Sequence, residues 1–178
     1  MTLNYKKKYI IFPSTVNFYL KNRKIIISGP YGKLCYFLPS FFSLKQIKPN
    51  CFDLIQHKSS KKIFQLRPLF FSLLNNMILG VLNPFKKVLI LKGVGYRCKK
   101  EDNNLILYLS FTNPIKVEIP LGIKVSITNF TKIEIEGLDK EKVSSFGALL
   151  KSKKIPNLYK GKGIFYEDEQ IKLKKSKN

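Results

Sequence analysis

The sequence is poor in the side chains from which most catalytic and metal sites are built. Its 178 residues include one histidine, His57, three cysteines and no tryptophan. A lone histidine cannot form a histidine-based metal site or supply several acid–base roles, so we interpret His57 as a surface residue. Cys35, Cys51 and Cys98 are widely spaced and form no C-x-x-C pair, which predicts free thiols in a reducing compartment. We therefore expect no cofactor, no metal ion and no enzymatic activity.

Acidic residues are almost as scarce. Lys and Arg together number 33 against 11 Asp and Glu, which gives a formal net charge of +22. The first 100 residues contain one acid, Asp53, against 19 Lys or Arg. A chain this basic repels itself and needs an anionic partner. Nucleic acid is the commonest such partner, because it offers dense phosphates and counterions to release, and an anionic membrane surface is the rival.

Long apolar runs are also missing. The nearest approach to a membrane span, residues 66–82, is interrupted by Arg67, Pro68 and two asparagines. The apolar run after Lys8 is too short for the core of a signal peptide, so none is predicted. We therefore expect no membrane partner. The composition is nevertheless 44% apolar and 13% aromatic, which is enough to build the core of one domain or of two small ones.

Glycine is present, but not in the arrangements that bind nucleotides. Gly93 and Gly95 form a lone G-x-G without the third glycine or the distal acid of a dinucleotide-binding motif. Gly161 and Gly163 lack the upstream glycine and the following Ser or Thr of a phosphate-binding loop. The acidic run Glu167–Glu169 has no histidine or second carboxylate set nearby, so we interpret it as a solvated turn.

The apolar pattern predicts strands and two helices. Alternation of period two indicates strands at residues 24–28, 52–56, 105–109, 115–119 and 131–136. Helical spacing indicates a first helix over residues 66–82, with Pro68 in its first turn. A second helix is predicted after Asp139 as N-cap, and it ends in a basic last turn. Its apolar stripe is predicted to consist of Val143, Phe146, Gly147 and Leu150.

The two halves of the chain resemble each other. A single shift that places Pro39 on Pro120 also aligns the apolar positions of two strand pairs. A slightly smaller shift aligns Leu66, Leu69 and Leu73 with Val143, Phe146 and Leu150 of the second helix. Coincidental alignment of apolar residues is the alternative. The matched order of elements predicts an α+β fold with two tandem domains of one duplicated design, each a mostly antiparallel sheet packed with one helix. The predicted bounds are residues 1–83 and 84–178.

A basic segment after the second helix carries the strongest functional pattern. In residues 151–166, lysines alternate with glycines, and Tyr159 and Tyr166 flank the run. Glycine lets backbone N–H groups approach phosphates, lysine neutralises them, and tyrosine can stack on a base. The pattern therefore indicates RNA binding, and an ordinary basic loop with its tyrosines packed on the sheet is the alternative.

The run Tyr159–Ile164, preceded by Pro156, resembles the C-terminal signature of the family formed by the sixth protein of the large ribosomal subunit, close to P-x-P-Y-K-G-K-G-I-R-Y. Gly93–Arg97 resembles the G-V-G-Y-R element of that family. Further matches follow in family order: Pro13–Ser14, Ser28–Gly32, Leu74–Met77, Pro114, Pro120–Ile123 and Gly137–Lys140. Each motif is weak by itself, but the ordered set covers almost the whole chain and is highly specific.

The resemblance implies a non-enzymatic structural protein that binds large-subunit rRNA through its C-terminal repeat and tail. It also implies a place near the base of the stalk, beside the sarcin–ricin region, with neighbouring large-subunit proteins as partners and translation GTPases as transient ones. Carried across residue by residue, the implied rRNA-binding residues are Lys153, Lys154, Tyr159, Lys160, Lys162 and Arg97. Leu158 and Phe165 depart from the usual Pro and Arg, and Phe165 lacks the cationic group with which that Arg would contact a phosphate.

Composition also suggests a compartment. Lys, Ile, Asn, Phe and Tyr are abundant while alanine occurs once, at Ala148, which points to an A/T-rich genome. The chain begins at about the start of the family pattern. We therefore expect an organelle-encoded protein of a mitochondrial ribosome, with a plastid or the bacterial cytoplasm as alternatives.

Three other functions are open to a chain of this composition. A free-standing nucleic-acid-binding regulator would need a recognition element, and the sequence has no helix-turn-helix, RNP or zinc-finger pattern. A small enzyme acting on an anionic substrate would need convergent titratable groups. A peripheral membrane protein would need lysines on the polar face of an amphipathic helix, whereas residues 66–82 carry only Arg67.

Overall fold

The alternating apolar residues of the sequence form short antiparallel strands, and each half of the chain adds one helix. The structure is a computed structural model that describes residues 9–57 and 60–174. Residue contacts divide the chain into two compact units, with the boundary between Pro84 and Phe85. The prediction that the chain has no signal peptide concerns the N-terminal residues, and residues 1–8 lie outside the described part. Residues 58–59, in the polar stretch after His57, also lie outside it.

The first unit consists of two three-stranded sheets and one helix. Its elements are β1 Ile10–Ile11, β2 Asn17–Lys21, β3 Lys24–Gly29, β4 Gly32–Phe37, β5 Phe42–Lys48, β6 Cys51–Gln56 and α1 Lys61–Leu82. The strand orders are β1-β6-β5 and β2-β3-β4, and every pairing is antiparallel. Helix α1 packs against strands of both sheets, and Leu54, Leu74 and Ile27 are among the residues of the shared apolar core.

The second unit repeats this arrangement and adds a strand. Its elements are β7 Phe85–Lys92, β8 Arg97–Glu101, β9 Asn104–Tyr108, β10 Ile115–Glu118, β11 Ile123–Asn129, β12 Lys132–Gly137, α2 Lys140–Ser152 and β13 Gly163–Tyr166. The sheets have the orders β11-β12-β7-β13 and β10-β9-β8, again with antiparallel pairings. Leu89, Ile135 and Leu150 lie at the centre of its core.

The predicted duplication is visible in the strand registers. Phe42 pairs with Gln56 and Ile123 with Gly137, so the shift that places Pro39 on Pro120 also superposes the β5–β6 pair on the β11–β12 pair. Each pair has a register irregularity at the same place, between Gln46 and Lys48 and between Ile127 and Asn129. The proline corners also match, since Phe42 N–H donates to Pro39 and Ile123 N–H to Pro120. The predicted α+β fold with two tandem copies of one design is confirmed.

Helix α2 agrees with the sequence prediction. The Asp139 carboxylate accepts hydrogen bonds from the backbone N–H groups of Glu141 and Lys142, as an N-cap should. The predicted stripe of Val143, Phe146, Gly147 and Leu150 is buried. The helix ends at Ser152, in a last turn that contains Lys151.

Helix α1 differs from the prediction in two ways. It begins at Lys61, so Pro68 is the eighth residue of the helix and not part of its first turn. Leu66 and Leu69 are 37% and 52% exposed, so their alignment with the buried stripe of α2 was wrong. The face that packs on the sheets is formed by Phe70, Leu74, Ile78 and Val81. The first turns of the helix, which precede Phe70, lie largely outside the core.

All three cysteines are free, and they differ in their surroundings. Cys35 is exposed, Cys51 is half-buried and Cys98 is buried in the core of the second unit. Burial raises the pKa of the Cys98 thiol to about 11, which keeps it protonated near neutral pH. Cys98 therefore behaves as a small apolar core residue.

Candidate nucleic-acid interface

The basic segment predicted from the sequence is a loop, residues 153–162, that connects α2 to β13. The loop leaves the helix through a tightened turn, in which Lys153 and Lys154 donate their backbone N–H groups to Leu150 and Lys151 at 3.2 Å. It returns to the sheet where β13 pairs with β7, and Gly163 lies opposite Lys92. Both ends of the loop are thus anchored to regular structure.

Pro156 and the glycines fix the course of this loop. Gly163 has φ +149°, and a Cβ placed on it would lie 2.6 Å from Pro156 Cα, so no larger residue fits without moving the backbone. Pro156 is buried at this crossing. Gly161 has φ +65°, in the left-handed region that favours glycine. The glycines predicted to let the backbone approach phosphates therefore also serve to close the loop on itself.

Asn157 holds the tip of the loop together. Its N–H donates to the carbonyl of Lys162 at 2.8 Å, and its own carbonyl accepts from the N–H of Gly161 at 2.9 Å. Its side-chain oxygen accepts from the backbone N–H groups of Tyr159 and Lys160 at 2.8 and 3.0 Å. These bonds form an Asx-type turn that fixes the backbone from which Tyr159 and Lys160 project.

Five of the six predicted site residues lie in this loop. Tyr159 is 61% exposed, Lys160 and Lys162 are exposed, and Lys153 and Lys154 are half-buried. The Lys154 ammonium lies 4.1 Å from the centroid of the Phe111 ring, a cation–π contact that holds its alkyl chain without cancelling its charge. Within the described part of the chain, no ion pair engages any of the four lysines. Their charges are therefore available to an external anion.

Arg97, the sixth predicted residue, lies outside the loop on β8. It is exposed, and its guanidinium carbon is 4.6 Å from the centroid of the Tyr108 ring on the paired strand β9. The structure therefore places Arg97 on the other sheet of the second unit, where its stacking on Tyr108 fixes the direction of the guanidinium.

The predicted C-terminal tail contacts the loop, and these contacts could not be predicted from the sequence. Residues 167–174 turn back after β13, and Lys174 N–H donates to the carbonyl of Leu158 at 2.9 Å. A Cβ on Gly161 would lie 3.4 Å from a methyl group of Leu173, so that side chain is close to the loop backbone. The end of this segment thus lies next to the loop, and it brings the backbone of a further lysine, Lys174, close to it.

An ion pair anchors this segment to α2. Lys151 Nζ and Glu169 Oε2 are 2.6 Å apart, and Glu169 Oε2 also accepts from the Tyr166 N–H at 3.3 Å. The hydrogen bond from Lys151 lowers the pKa of the Glu169 carboxyl. Glu167 pairs with Lys132 at 2.8 Å. The prediction of a solvated acidic turn was therefore incomplete, since two of its three acids form ion pairs. These partners could not be predicted, because they are distant along the chain and leave no local sequence pattern.

Phe165 occupies the position where the family pattern has an arginine. This residue is 4% exposed, and the Lys92 ammonium lies 4.9 Å from the centroid of its ring. Lys92 is exposed and lies on β7, next to β13. The Lys92 ammonium is therefore a cation close to position 165, where the family pattern has the arginine that this sequence lacks.

The arrangement of the loop suits anion binding. Within residues 9–57 and 60–174, no three His, Cys, Asp or Glu side chains are grouped as a metal site requires. No helix in the same residues is long and apolar enough to cross a membrane. The loop combines a fixed backbone, lysine ammonium groups without carboxylate partners and one exposed tyrosine. These features are typical of a surface that contacts the phosphates and bases of a nucleic acid.

Comparison with known proteins shows that the chain is similar to members of one family. The family model described as Ribosomal protein L6 matches residues 92–167. The large ribosomal subunit protein uL6 of Dictyoglomus thermophilum is 37% identical over 172 residues, covering 96% of this chain and 95% of the relative. That of Clostridioides difficile is 36% identical over 96% of this chain and 94% of the relative. The plastid form uL6c of Arabidopsis thaliana is 34% identical over 96% of this chain and 77% of the relative.

Proposed function

The chain belongs to the ribosomal protein L6 family, and on this basis we propose that it is a structural, non-enzymatic constituent of the large ribosomal subunit. We further propose that it binds large-subunit rRNA through the loop of residues 153–162. The observation that carries this proposal is the absence, in the described part of the chain, of any carboxylate paired with Lys153, Lys154, Lys160 or Lys162. Four ammonium groups on a fixed backbone favour an external polyanion.

Each predicted site residue has a distinct part in the proposed contact. Lys160 and Lys162 neutralise phosphates from the exposed tip, and the half-buried Lys153 and Lys154 do so from its base. Tyr159 stacks on a base or hydrogen-bonds to the sugar–phosphate backbone. Arg97 makes a separate contact from β8, since its guanidinium is already oriented by Tyr108.

We propose that Lys92 replaces the arginine that the family pattern has at position 165. Its ammonium lies over the Phe165 ring, so the cation is held by a neighbouring strand and not by the residue itself. The C-terminal segment adds Lys172 and Lys174 to the same surface, because the backbone of Lys174 is bonded to the loop. The binding surface is then wider than the signature sequence.

The finer placement follows from the family and is likewise proposed. The protein would lie near the base of the stalk, next to neighbouring large-subunit proteins, where translation GTPases dock transiently. Residues 1–83 and 84–178 would be its two tandem domains, and the contact boundary between Pro84 and Phe85 supports this division.

The compartment is proposed from composition. The composition indicates an A/T-rich genome, and the departures from the family pattern favour a mitochondrial ribosome. The relatives named above are bacterial proteins and a plastid form, which supports an organelle or bacterial ribosome more broadly. Identification of the ribosome fraction that contains the chain decides between mitochondrion, plastid and bacterial cytoplasm.

Incorporation into ribosomes tests the proposed rRNA contact. The full chain with an affinity tag would carry either Lys160→Glu with Lys162→Glu, or Lys45→Glu with Lys48→Glu as a control with the same charge change on exposed residues of β5. We expect the loop variant to enter large subunits about tenfold less than wild type, because two phosphate contacts become repulsive. The control variant should change incorporation less than about twofold. Normal incorporation of the loop variant would refute the proposed contact.

A further inference from the structure

One sheet of the first unit has an open face that the proposed function does not use. Strands β2, β3 and β4 turn alternate side chains to opposite sides. Ile25 and Ile27 on one side are buried against α1 and the rest of the core. The other side, here called the N-terminal open face, consists of Asn17, Tyr19, Lys21, Lys24, Ile26, Ser28, Lys33, Cys35 and Phe37.

The registers place aromatic and basic side chains side by side on this face. Lys21 lies opposite Lys24, which lies opposite Phe37, and the Lys24 ammonium is 5.6 Å from the centroid of the Phe37 ring. The next row contains Tyr19, which lies opposite Ile26. Tyr19 is 60% exposed and Phe37 is 67% exposed. Two large aromatic side chains therefore stand in solvent on a sheet surface, with cations beside them.

No acid of the first unit is paired with these cations among the described residues. Asp53 is the single acid in residues 1–84, and its carboxylate is 2.8 Å from the guanidinium of Arg67. The ammonium groups of Lys21, Lys24 and Lys33 therefore form a face of uniform positive sign. A partner that covers it must supply negative charge and flat groups able to stack on the two rings.

The duplicated unit shows that the fold does not require this surface. The β2–β3 and β8–β9 hairpins correspond, since Lys21 pairs with Lys24 at the turn of the first and Glu101 with Asn104 at the turn of the second. Glu118 lies opposite Asn104, as Phe37 lies opposite Lys24. Two acids and an asparagine thus occupy the places of two lysines and an exposed phenylalanine. The same sheet forms with either set at these three positions, while Lys99 takes the place of Tyr19, and Arg97 and Tyr108 take those of Asn17 and Ser28. The fold therefore does not require Lys21, Lys24 and Phe37, which are free to serve binding.

We propose that the N-terminal open face binds an unpaired segment of RNA, with phosphates on Lys21, Lys24 and Lys33 and bases stacked on Tyr19 and Phe37. Sheet-borne aromatic residues flanked by cations are a common means of holding single-stranded RNA. A protein partner fits less well, because lysine is depleted in protein–protein interfaces. The proposal rests on the proposed function only for the source of the RNA, which would be the rRNA itself, and the contact is separate from loop 153–162.

A charge-neutral substitution separates stacking from general basicity. The full chain would be titrated with a fluorescently labelled, unstructured RNA of about 12 nucleotides, within the range of single-strand binding sites. The test variant is Tyr19→Ala with Phe37→Ala. The control is Tyr31→Ala with Phe130→Ala, which removes one tyrosine and one phenylalanine of matching exposure, 61% and 70%, from the β3–β4 and β11–β12 turns, outside the face itself. Thermal unfolding of every variant is measured alongside.

We expect the test variant to bind the oligonucleotide about tenfold or more weakly and the control within about twofold of wild type. The dependence of affinity on salt should be unchanged in the test variant, because no phosphate contact is lost. The face graft Lys21→Glu, Lys24→Asn and Phe37→Glu, which copies the second unit, should lower both the affinity and the salt slope. Equal affinities of wild type and test variant at unchanged unfolding temperature would overturn the proposal.

Two further outcomes keep this proposal distinct from the loop contact. The loop variant Lys160→Glu with Lys162→Glu should retain the part of oligonucleotide binding that depends on stacking. Replacing Tyr19 and Phe37 by alanine should therefore lower the affinity by the same factor in the loop variant as in wild type. If the aromatic test variant keeps its oligonucleotide affinity but enters large subunits poorly, the face docks a protein and the RNA proposal is wrong. Failure of the loop variant to affect ribosome incorporation would refute the proposed loop contact alone.

Discussion

The two units of this chain share a backbone and differ at their surfaces. Strand pairs, a register irregularity and the proline corner recur in the same order in both units. The single acid of residues 1–84 contrasts with ten acids in the remainder. Register is fixed by which side chains must be buried, whereas exposed positions carry no such requirement. The comparison teaches that the duplicated core was retained while each surface acquired its own chemistry.

The second unit also carries an element without a counterpart among the described residues of the first. Strand β13 adds a fourth strand to its sheet, and the basic loop exists because the chain must travel from α2 to the far edge of β7. In the first unit, α1 runs directly to the boundary at Pro84. The additional strand therefore creates the proposed rRNA-binding loop.

The largest loss of stability is expected from substitutions that disrupt the core of one unit and leave the core of the other intact. Leu54 and Ile135 occupy equivalent places, with 2% and 0% exposure. Replacement of either by alanine should lower the free energy of unfolding of its own unit by about 2–5 kcal/mol, through lost burial and a cavity. Hydrogen exchange followed by mass spectrometry should show lost protection only in residues 1–84 for Leu54→Ala and only in residues 85–178 for Ile135→Ala. Equal loss in both units would contradict the independence of the two cores.

The next largest effect is expected from a substitution that distorts the backbone of the loop. Gly163→Ala should destabilise the chain by about 1–3 kcal/mol and weaken rRNA binding, because the new Cβ collides with Pro156 and the backbone must shift. Gly122→Ala is the matched control, since Gly122 has φ +88° but nothing within 4 Å of its added Cβ. Chemical denaturation and rRNA titration should show a smaller loss of stability and unchanged binding in the control.

A smaller effect distinguishes the two helix starts. Asp139 caps α2 with its side chain, whereas Ser60 precedes α1 without a side-chain capping bond. Asp139→Ala should cost about 1 kcal/mol of unfolding free energy, and Ser60→Ala only a few tenths. Denaturant titration of both variants checks this, and equal losses would show that the caps are not different in solution.

The smallest effect concerns the anchor of the C-terminal segment. The pKa of Glu169 is lowered in the folded chain by Lys151, so its contribution to stability is present above the ordinary pKa of a glutamate. That contribution is lost as the pH falls through the lowered pKa. Glu169→Gln should cost less than about 1 kcal/mol at neutral pH, as exposed or half-exposed ion pairs do, and the difference from wild type should vanish in acid. A difference that persists or grows in acid would exclude the ion pair as its cause.

The elements that follow local rules could be predicted from the sequence. The capping Asp139, the buried stripe of α2 and the repeated strands depend on nearby residues or on a period along the chain. The start of α1 could not be found in this way, because Ser60 gives no capping bond and the first turns of the helix bury little.

The loop residues could be identified by their pattern, but the surroundings of the loop could not. The pairing of Lys151 with Glu169, the backbone bond between Lys174 and Leu158, and the Lys92 ammonium over Phe165 all join residues that meet only in the folded chain. The contrast between the two sheet faces likewise required the registers. These are tertiary facts, and a sequence pattern carries information mainly about neighbours along one element.

Sedimentation of ribosomes from the native host in high salt, with quantitative mass spectrometry across the gradient, tests the central claim most directly. High salt removes proteins held only by loose phosphate contacts. An integral constituent should remain with the large subunit in the same amount as its neighbouring proteins, and the organelle of origin of that fraction identifies the compartment. A chain that washes off the subunit, or sediments alone, would contradict the assignment and favour a free RNA-binding protein.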